Sequence, residues 1–187
     1  MLRDEPEQVP ETARERVFSG RVFDLDSVQL DFRGETLRRQ WLVHPGSVAV
    51  LALDASDRVL VLQQFRAPVG ARMWELPAGL RDVAGEAAVY TARRELAEEA
   101  ELAAATWQEL ASFVPTGGSS NETVQVFLAT SLTPTTTDFV RTGEEADMQL
   151  QWVPFEELLA TVLAGGVRNS ALMIGVLTLA AKRHASS

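Results

Sequence analysis

Three glutamates stand at i, i+3 and i+4 in the run Arg94-Glu95-Leu96-Ala97-Glu98-Glu99. On an α-helix that spacing brings their side chains to neighbouring positions on one face. Carboxylates crowded in this way repel one another unless a positive group sits among them. Hard divalent cations such as Mg2+ and Mn2+ prefer oxygen ligands of this kind, and a cation held there can neutralise phosphate oxygens and activate water. An acidic helix face also serves simply to meet solvent, so the run has to be read in its surroundings. Composition narrows the chemistry. The 187 residues include no cysteine and only two histidines, His44 and His184, which excludes thiolate nucleophiles, disulfides and any centre built on several histidines. Any metal chemistry therefore falls to carboxylates. With 17 basic and 26 acidic residues the formal charge is −9, which opposes nonspecific attachment to nucleic acid or to an anionic membrane.

The element that must carry the glutamates is a helix expected over 86–101, rich in Ala, Glu, Leu and Arg, with Val89, Ala92, Leu96 and Ala100 at helical spacing. Strand-like stretches precede it. Residues 17–23, 27–32 and 37–43 have apolar and β-branched content between turn residues and suggest an antiparallel N-terminal sheet. Stronger strands are expected at 48–53 and 59–64, joined by the polar hairpin Asp54-Ala55-Ser56-Asp57-Arg58. Short strands are expected at 74–76, 109–114, 124–129 and 149–153. Pro154-Phe155-Glu156-Glu157 opens a second helix, with proline and acids suited to its first turn, and Asn169 or Ser170 caps a last one that is apolar through Ala181. Residues 1 to about 15 read as a polar, mobile leader without the apolar stretch of a signal peptide. The longest apolar run, 171–181, is far short of a membrane span. An apolar share of 46% with 23% charged residues describes a folding globular chain, and the pattern is mixed α+β without regular βαβ alternation.

Upstream of the acidic helix, Trp74-Glu75-Leu76-Pro77-Ala78-Gly79 reads as a short strand ending in a turn, followed by a loop and Gly85-Glu86. Strand, loop and helix in this order resemble the Nudix box, G-x5-E-x7-R-E-U-x-E-E-x-G-U, where U is a bulky aliphatic residue. Glu86, Arg94, Glu95, Leu96, Glu98, Glu99 and Leu102 fall in register with it. Two positions depart. Gly79 lies seven residues before Glu86 where the signature has six, implying a loop one residue longer. Glu101 stands where the last glycine belongs, and a non-glycine residue in a left-handed helix end costs roughly 1 kcal/mol. Beyond the box, His44-Pro45-Gly46-Ser47-Val48-Ala49-Val50, Gln63-Gln64-Phe65-Arg66-Ala67-Pro68-Val69-Gly70 and the Trp74–Gly79 segment are similar to the ADP-ribose pyrophosphatase branch of that family. So is Pro115-Thr116-Gly117-Gly118-Ser119-Ser120-Asn121-Glu122, though more loosely. The resemblance extends over about residues 17–180.

The resemblance implies roles. Glu95, Glu98 and Glu99, with the backbone carbonyl of Ala78, would hold two or three Mg2+ ions against a pyrophosphate, with Mn2+ as the alternative metal. Glu86 and Arg94 would form a structural ion pair, unless Glu86 joins the metal shell. A glutamate in a mobile loop before the last strand commonly serves as general base in this branch, and Arg141-Thr142-Gly143-Glu144-Glu145-Ala146-Asp147-Met148 resembles that loop. Glu144 and Glu145 join Glu98 as the catalytic candidates, and the sequence does not separate the first two. Arg66 would contact a phosphate, Gly117 and Glu122 would approach the substrate or its metal-bound water, and Phe23 would clamp the adenine. The other reading of each is an ordinary surface or loop residue. Trp41, Trp74, Trp107 and Trp152 read as packing residues, and His44 as a strand-end residue without catalytic work.

The expected fold is the Nudix α/β/α sandwich with a mixed sheet, preceded by a small antiparallel N-terminal sheet. It divides into a flexible leader at 1–16, a dimerisation arm at 17–44 and a catalytic domain at 45–187. The implied function is Mg2+-dependent hydrolysis of ADP-ribose to AMP and ribose 5-phosphate by a cytoplasmic homodimer that exchanges its N-terminal sheet and binds neither nucleic acid nor membrane. Hydrolysis of other nucleoside diphosphate sugars or of dinucleoside polyphosphates is the alternative. A binding module that senses a nucleotide without cleaving it is a third reading, which the retained Glu95, Glu98 and Glu99 disfavour.

Overall fold

The computed structural model describes residues 2–185, apart from the side chains of Glu144 and Glu145, and the chain divides into two units, Met1–Pro45 with Thr116–Glu122, and Gly46–Pro115 with Thr123–Ser187. In the first, β1 (Glu11–Ser19), β2 (Asp24–Phe32) and β3 (Glu35–Val43) form an antiparallel sheet in that order. Arg33 and Gly34 join β2 to β3 with φ of 57° and 86°, the doubly positive pair that a two-residue hairpin matched to strand twist requires. The segment 116–122 belongs to this unit through the Leu42 N–H, which donates to the Ser119 carbonyl at 2.9 Å, and the His44 N–H, which donates to Asn121 Oδ1 at 2.8 Å.

The first strand starts at Glu11, inside the stretch expected from sequence to be mobile. All nine of its residues are exposed, so no apolar alternation marks it, and polar contacts to β2 join the ladder in holding it. Arg16 and Arg14 both donate to the solvent-inaccessible Asp26 carboxylate, Arg14 at 2.6 Å. Hydrogen bonding to Arg16 foremost, and then to Arg14, outweighs burial and holds the Asp26 carboxyl below its ordinary pKa.

In the second unit, β4 (Ser47–Ala52), β5 (Arg58–Arg66), β6 (Ala71–Glu75) and β7 (Ala78–Leu80) lead into α1 (Ala88–Ala100). Then come β8 (Leu102–Phe113), β9 (Val124–Pro134), a 3-10 turn (Gly143–Asp147), β10 (Gln149–Pro154), α2 (Phe155–Leu163) and α3 (Ser170–Ala185). One sheet has the order β7-β4-β9-β8 and a second the order β10-β5-β6. Strands β4 and β9 run parallel and the other named pairs antiparallel, giving the mixed sheet expected. The alternation of β4 shows why this is a sandwich. Val48, Val50 and Ala52 face a core with Ala88, Ala92 and Leu96 of α1, while Ala49 and Leu51 face one with Phe155, Leu158, Leu172 and Val176 of α2 and α3. A strand covered on both sides is a continuous apolar run, and each buried Val, Leu or Phe side chain contributes roughly 1.5–3 kcal/mol.

The connections follow their sequence signals. Asp54 Oδ1 accepts the N–H groups of Ser56 and Arg58 at 2.9 and 2.8 Å in the β4–β5 hairpin. Burial pushes that carboxyl up, and these bonds with the Arg58 guanidinium more than offset it, leaving the pKa below the usual value. Asn169 Oδ1 accepts the Leu172 N–H at 3.0 Å and so caps α3. Strand β8 begins at Leu102 rather than near 109, because Glu101, at φ 52° and ψ 39°, stops α1 in one residue.

That left-handed glutamate supplies a stability prediction. Glu101→Gly removes the steric penalty of a Cβ at positive φ and takes a negative charge from the negative end of the helix, while the more flexible glycine gives back part of the gain. The expected outcome is a stabilisation of about 1 kcal/mol, measured by denaturant unfolding.

Candidate active site

Helix α1 presents Glu95 and Glu99 toward β7 and Glu98 toward Arg94. Glu95 and Glu99 are 8% and 6% exposed, and Glu98 is less buried. Arg94 stands among the carboxylates. Its Nη1 lies 2.8 Å from Glu95 Oε1 and 3.7 Å from Glu98 Oε2, and its Nη2 lies 3.4 Å from Asp82 Oδ1 and 3.8 Å from Glu86 Oε2. One guanidinium thus offsets the mutual repulsion of four acids, two on the helix and two from the loop before it. The Thr91 hydroxyl donates to Glu86 Oε2 at 2.8 Å, so Glu86 ties loop to helix.

The strand side is fitted to the same carboxylates. The Ala78 N–H donates to Glu99 Oε2 at 2.8 Å, and Pro77 is held by the Val50 N–H, 2.8 Å from its carbonyl. The Glu95 carboxyl lies against Gly79, where an added methyl group would fall well inside van der Waals contact with its carbon and both oxygens. Gly79 therefore supplies a bare stretch of backbone for a carboxylate. The longer loop leaves this cradle in place.

Among the described residues, no three acids or histidines converge as they would on a bound ion, and Arg94 lies against Glu95 and Glu98. The donors nevertheless fit a hard divalent metal in kind: anionic oxygens, crowded on one face, with a backbone notch beside them.

Arg66, at the end of β5, is engaged by Glu75 of β6. Its Nε donates to Oε1 at 2.9 Å and its Nη2 to Oε2 at 2.6 Å. Arg141 Nη2 donates to the backbone carbonyl of Glu99 at 2.7 Å, linking the segment before the 3-10 turn to the end of α1. The base candidates Glu144 and Glu145 lie, as side chains, outside the described residues. Phe23, Gly117 and Glu122 belong to the other unit. There Phe23 is exposed, Gly117 lines a cavity of about 370 Å³ with Arg39, Trp41 and Asn121, and Glu122 Oε1 is 3.8 Å from His44 Nδ1. Trp74 packs against the α2–α3 core and Trp107 and Trp152 against the α1 core. Sequence reasoning passed over Glu75, Asp82 and Arg141, whose partners are distant in the chain or sit in an irregular loop.

Residues 43–171 match the NUDIX domain model. The chain belongs to the NUDIX domain family. It is 41% identical over 167 residues to an ADP-ribose pyrophosphatase of Mycobacterium tuberculosis, covering 88% of this chain and 80% of that protein. It is 39% identical over 122 residues to an ADP-ribose pyrophosphatase of Bacillus subtilis, covering 64% and 65% respectively. A crystal structure of an ADP compounds hydrolase superposes with a TM-score of 0.80 over 99% of both chains at 16% identity, which confirms the Nudix fold. Nudix hydrolases generally need a divalent metal, so the carboxylate face of α1 is the natural candidate centre. No helix among the described residues is long and apolar enough to cross a membrane.

Proposed function

We propose that this Nudix protein hydrolyses ADP-ribose to AMP and ribose 5-phosphate, using Mg2+, with Mn2+ as a substitute. One observation carries the reading: α1 sets Glu95 and Glu98 against the Arg94 guanidinium and Glu99 on the Ala78 N–H. The ADP-ribose pyrophosphatase relatives support the choice of substrate. Glu95, Glu98 and Glu99, with the Ala78 carbonyl, would hold the metal. When bound, the metal supplies neutralisation of the pyrophosphate oxygens and a lowered pKa for water. In the reaction, a water oxygen bonds to one phosphorus, the bond from that phosphorus to the bridging oxygen breaks, and the water proton passes to Glu144 or Glu145. Arg66 contacts a phosphate oxygen. Phe23 flanks the adenine, and Gly117 and Glu122 approach the rest of the substrate.

The reading includes a homodimer that exchanges the N-terminal sheet. Every residue of β1 is exposed, including Val17 and Phe18, and Val22 and Phe23 are exposed beside it. An edge strand with apolar side chains on view needs a cover. A cytoplasmic location, without nucleic acid or membrane as partner, is supported by the absence of cysteine and the charge of −9.

The test is nucleoside monophosphate release from ADP-ribose, ADP-glucose, NADH, GDP-mannose and diadenosine polyphosphates, AMP from the adenosine compounds and GMP from GDP-mannose, scored by product chromatography, with Mg2+, Mn2+ or chelator. Metal-dependent cleavage selective for ADP-ribose is the expected result. Selective cleavage of another compound would overturn the substrate assignment, and tight binding of nucleotide without cleavage would make the protein a sensor.

A further inference from the structure

Glu75 is a buried acid that the proposed reaction leaves unused. It is 3% exposed, and its place on β6 opposite Leu62 of β5 sets it on the sheet face shared by Leu62, Gln64 and Arg66. Its carboxylate accepts both Nε and Nη2 of Arg66, at 2.9 and 2.6 Å, and lies 3.5 Å from the Gln64 amide nitrogen. A two-point grip of this kind fixes the plane of a guanidinium as well as its distance. It uses Nε and Nη2 together, the side-on edge of the guanidinium.

The grip is keyed to the candidate centre through the main chain. Glu75 is followed by the buried Leu76, then by Pro77, whose carbonyl is bonded to Val50 of β4, then by Ala78, whose N–H meets Glu99. Few soft torsions separate the Glu75 carboxylate from the turn that faces the α1 glutamates. An arginine serving only to attract an anion would be weakened by a carboxylate at this distance. What the arrangement gains is orientation, which matters where a phosphate must be held in line for attack.

We propose that Glu75 is a positioning residue that fixes the Arg66 guanidinium to receive a phosphate oxygen of the nucleotide substrate. This rests on the reading of Arg66 as a phosphate contact in a pyrophosphatase. The substrate panel tests that activity on the wild-type protein alone, so a failure of the enzyme reading appears there, and overturns the proposal, before any variant is made.

The deciding experiment is a double-mutant cycle in kcat/KM for ADP-ribose with Glu75→Gln, Arg66→Ala and the double variant. Arg66→Ala should lose about a hundredfold and Glu75→Gln about tenfold. Glu75→Gln should cost nothing further, within about twofold, once Arg66 is absent. A purely structural role would carry the Glu75→Gln loss unchanged into the Arg66→Ala background, and such additivity would overturn the proposal. So would a Glu75→Gln enzyme with wild-type kcat/KM. If Arg66→Ala is harmless, the phosphate-contact reading fails and the proposal falls with it. Arg66→Lys supplies a measure that does not depend on the folding of Glu75→Gln, because it keeps the charge and loses the fork. A loss close to that of Arg66→Ala supports orientation, and retention of most activity refutes it.

Discussion

Glu99→Gln should lower kcat by about two to three orders of magnitude while leaving the fold intact. The size follows from the proposed chemistry. A carboxylate that helps hold a divalent ion supports several kcal/mol of charge stabilisation at the pyrophosphate, and each 1.36 kcal/mol is a factor of ten in rate. The small structural cost follows from the geometry. Glu99 is 6% exposed and one of its oxygens accepts the Ala78 N–H at 2.8 Å. Glutamine has the same length and can turn its amide oxygen to that N–H, so the substitution exchanges a charge-assisted hydrogen bond for a neutral one, worth about 1 kcal/mol. Steady-state kinetics over a range of Mg2+ concentrations, paired with thermal unfolding, separates the two effects. Wild-type turnover in the variant would remove Glu99 from the metal set. A fall in Tm large enough to explain the lost activity would recast it as a structural residue.

Helix α1 and the β4–β5 hairpin were readable because their information is local. The Ala-rich 3.6-residue period of 88–100, the two-faced apolar run at 48–52 and the acid-rich hairpin at 54–58 each state their conformation within a few residues. Strand β1 is different. Its sequence, ETARERVFS, alternates no apolar residues because neither face is buried. It is held by ladder bonds and by Arg14 and Arg16 reaching Asp26, long-range contacts that no window of sequence contains. The first half of β8 misleads for another reason: Leu102-Ala103-Ala104-Ala105 has helical propensity, and the left-handed turn at Glu101 overrides it.

The candidate site divides in the same way. The spacing of Glu95, Glu98 and Glu99 announced one helix face, and Arg94 among them was in register with the Nudix box. Glu75 looked like one more strand residue, since its partners Gln64 and Arg66 stand on the neighbouring strand and only the β5–β6 register brings them to one face. Asp82 joins Arg94 from a loop whose length departs from the family pattern, so no fixed offset pointed to it. Gly79 was legible as a member of a turn, whereas its contact with Glu95 depends on how closely β7 approaches α1.

That contact yields a substitution that separates catalysis from folding. Gly79→Ala should cut kcat/KM for ADP-ribose by about a hundredfold with a change in stability no larger than about 1 kcal/mol. Gly79 has no positive φ, so alanine can adopt its backbone without strain, and replacing glycine in a strand reduces the entropy of the unfolded chain. The new methyl group meets the Glu95 carboxyl, the far end of a flexible side chain, and not backbone. The carboxyl can swing away, which spares the fold. It then leaves the place where Arg94 and β7 hold it, and a displacement of about 1 Å in a catalytic constellation is worth about a hundredfold in rate. Kinetics should also show a higher Mg2+ concentration for half-maximal activity, because Glu95 is the displaced donor. Gly79→Ala with wild-type kcat/KM and unchanged Mg2+ dependence would mean that the Glu95 carboxylate takes no part in binding metal. Activity lost in proportion to a collapsed Tm would mean that the cradle serves packing. Since Glu99→Gln removes a charge in place and Gly79→Ala moves one without removing it, the pair tests separately whether the acids of α1 act by their charge or by their position.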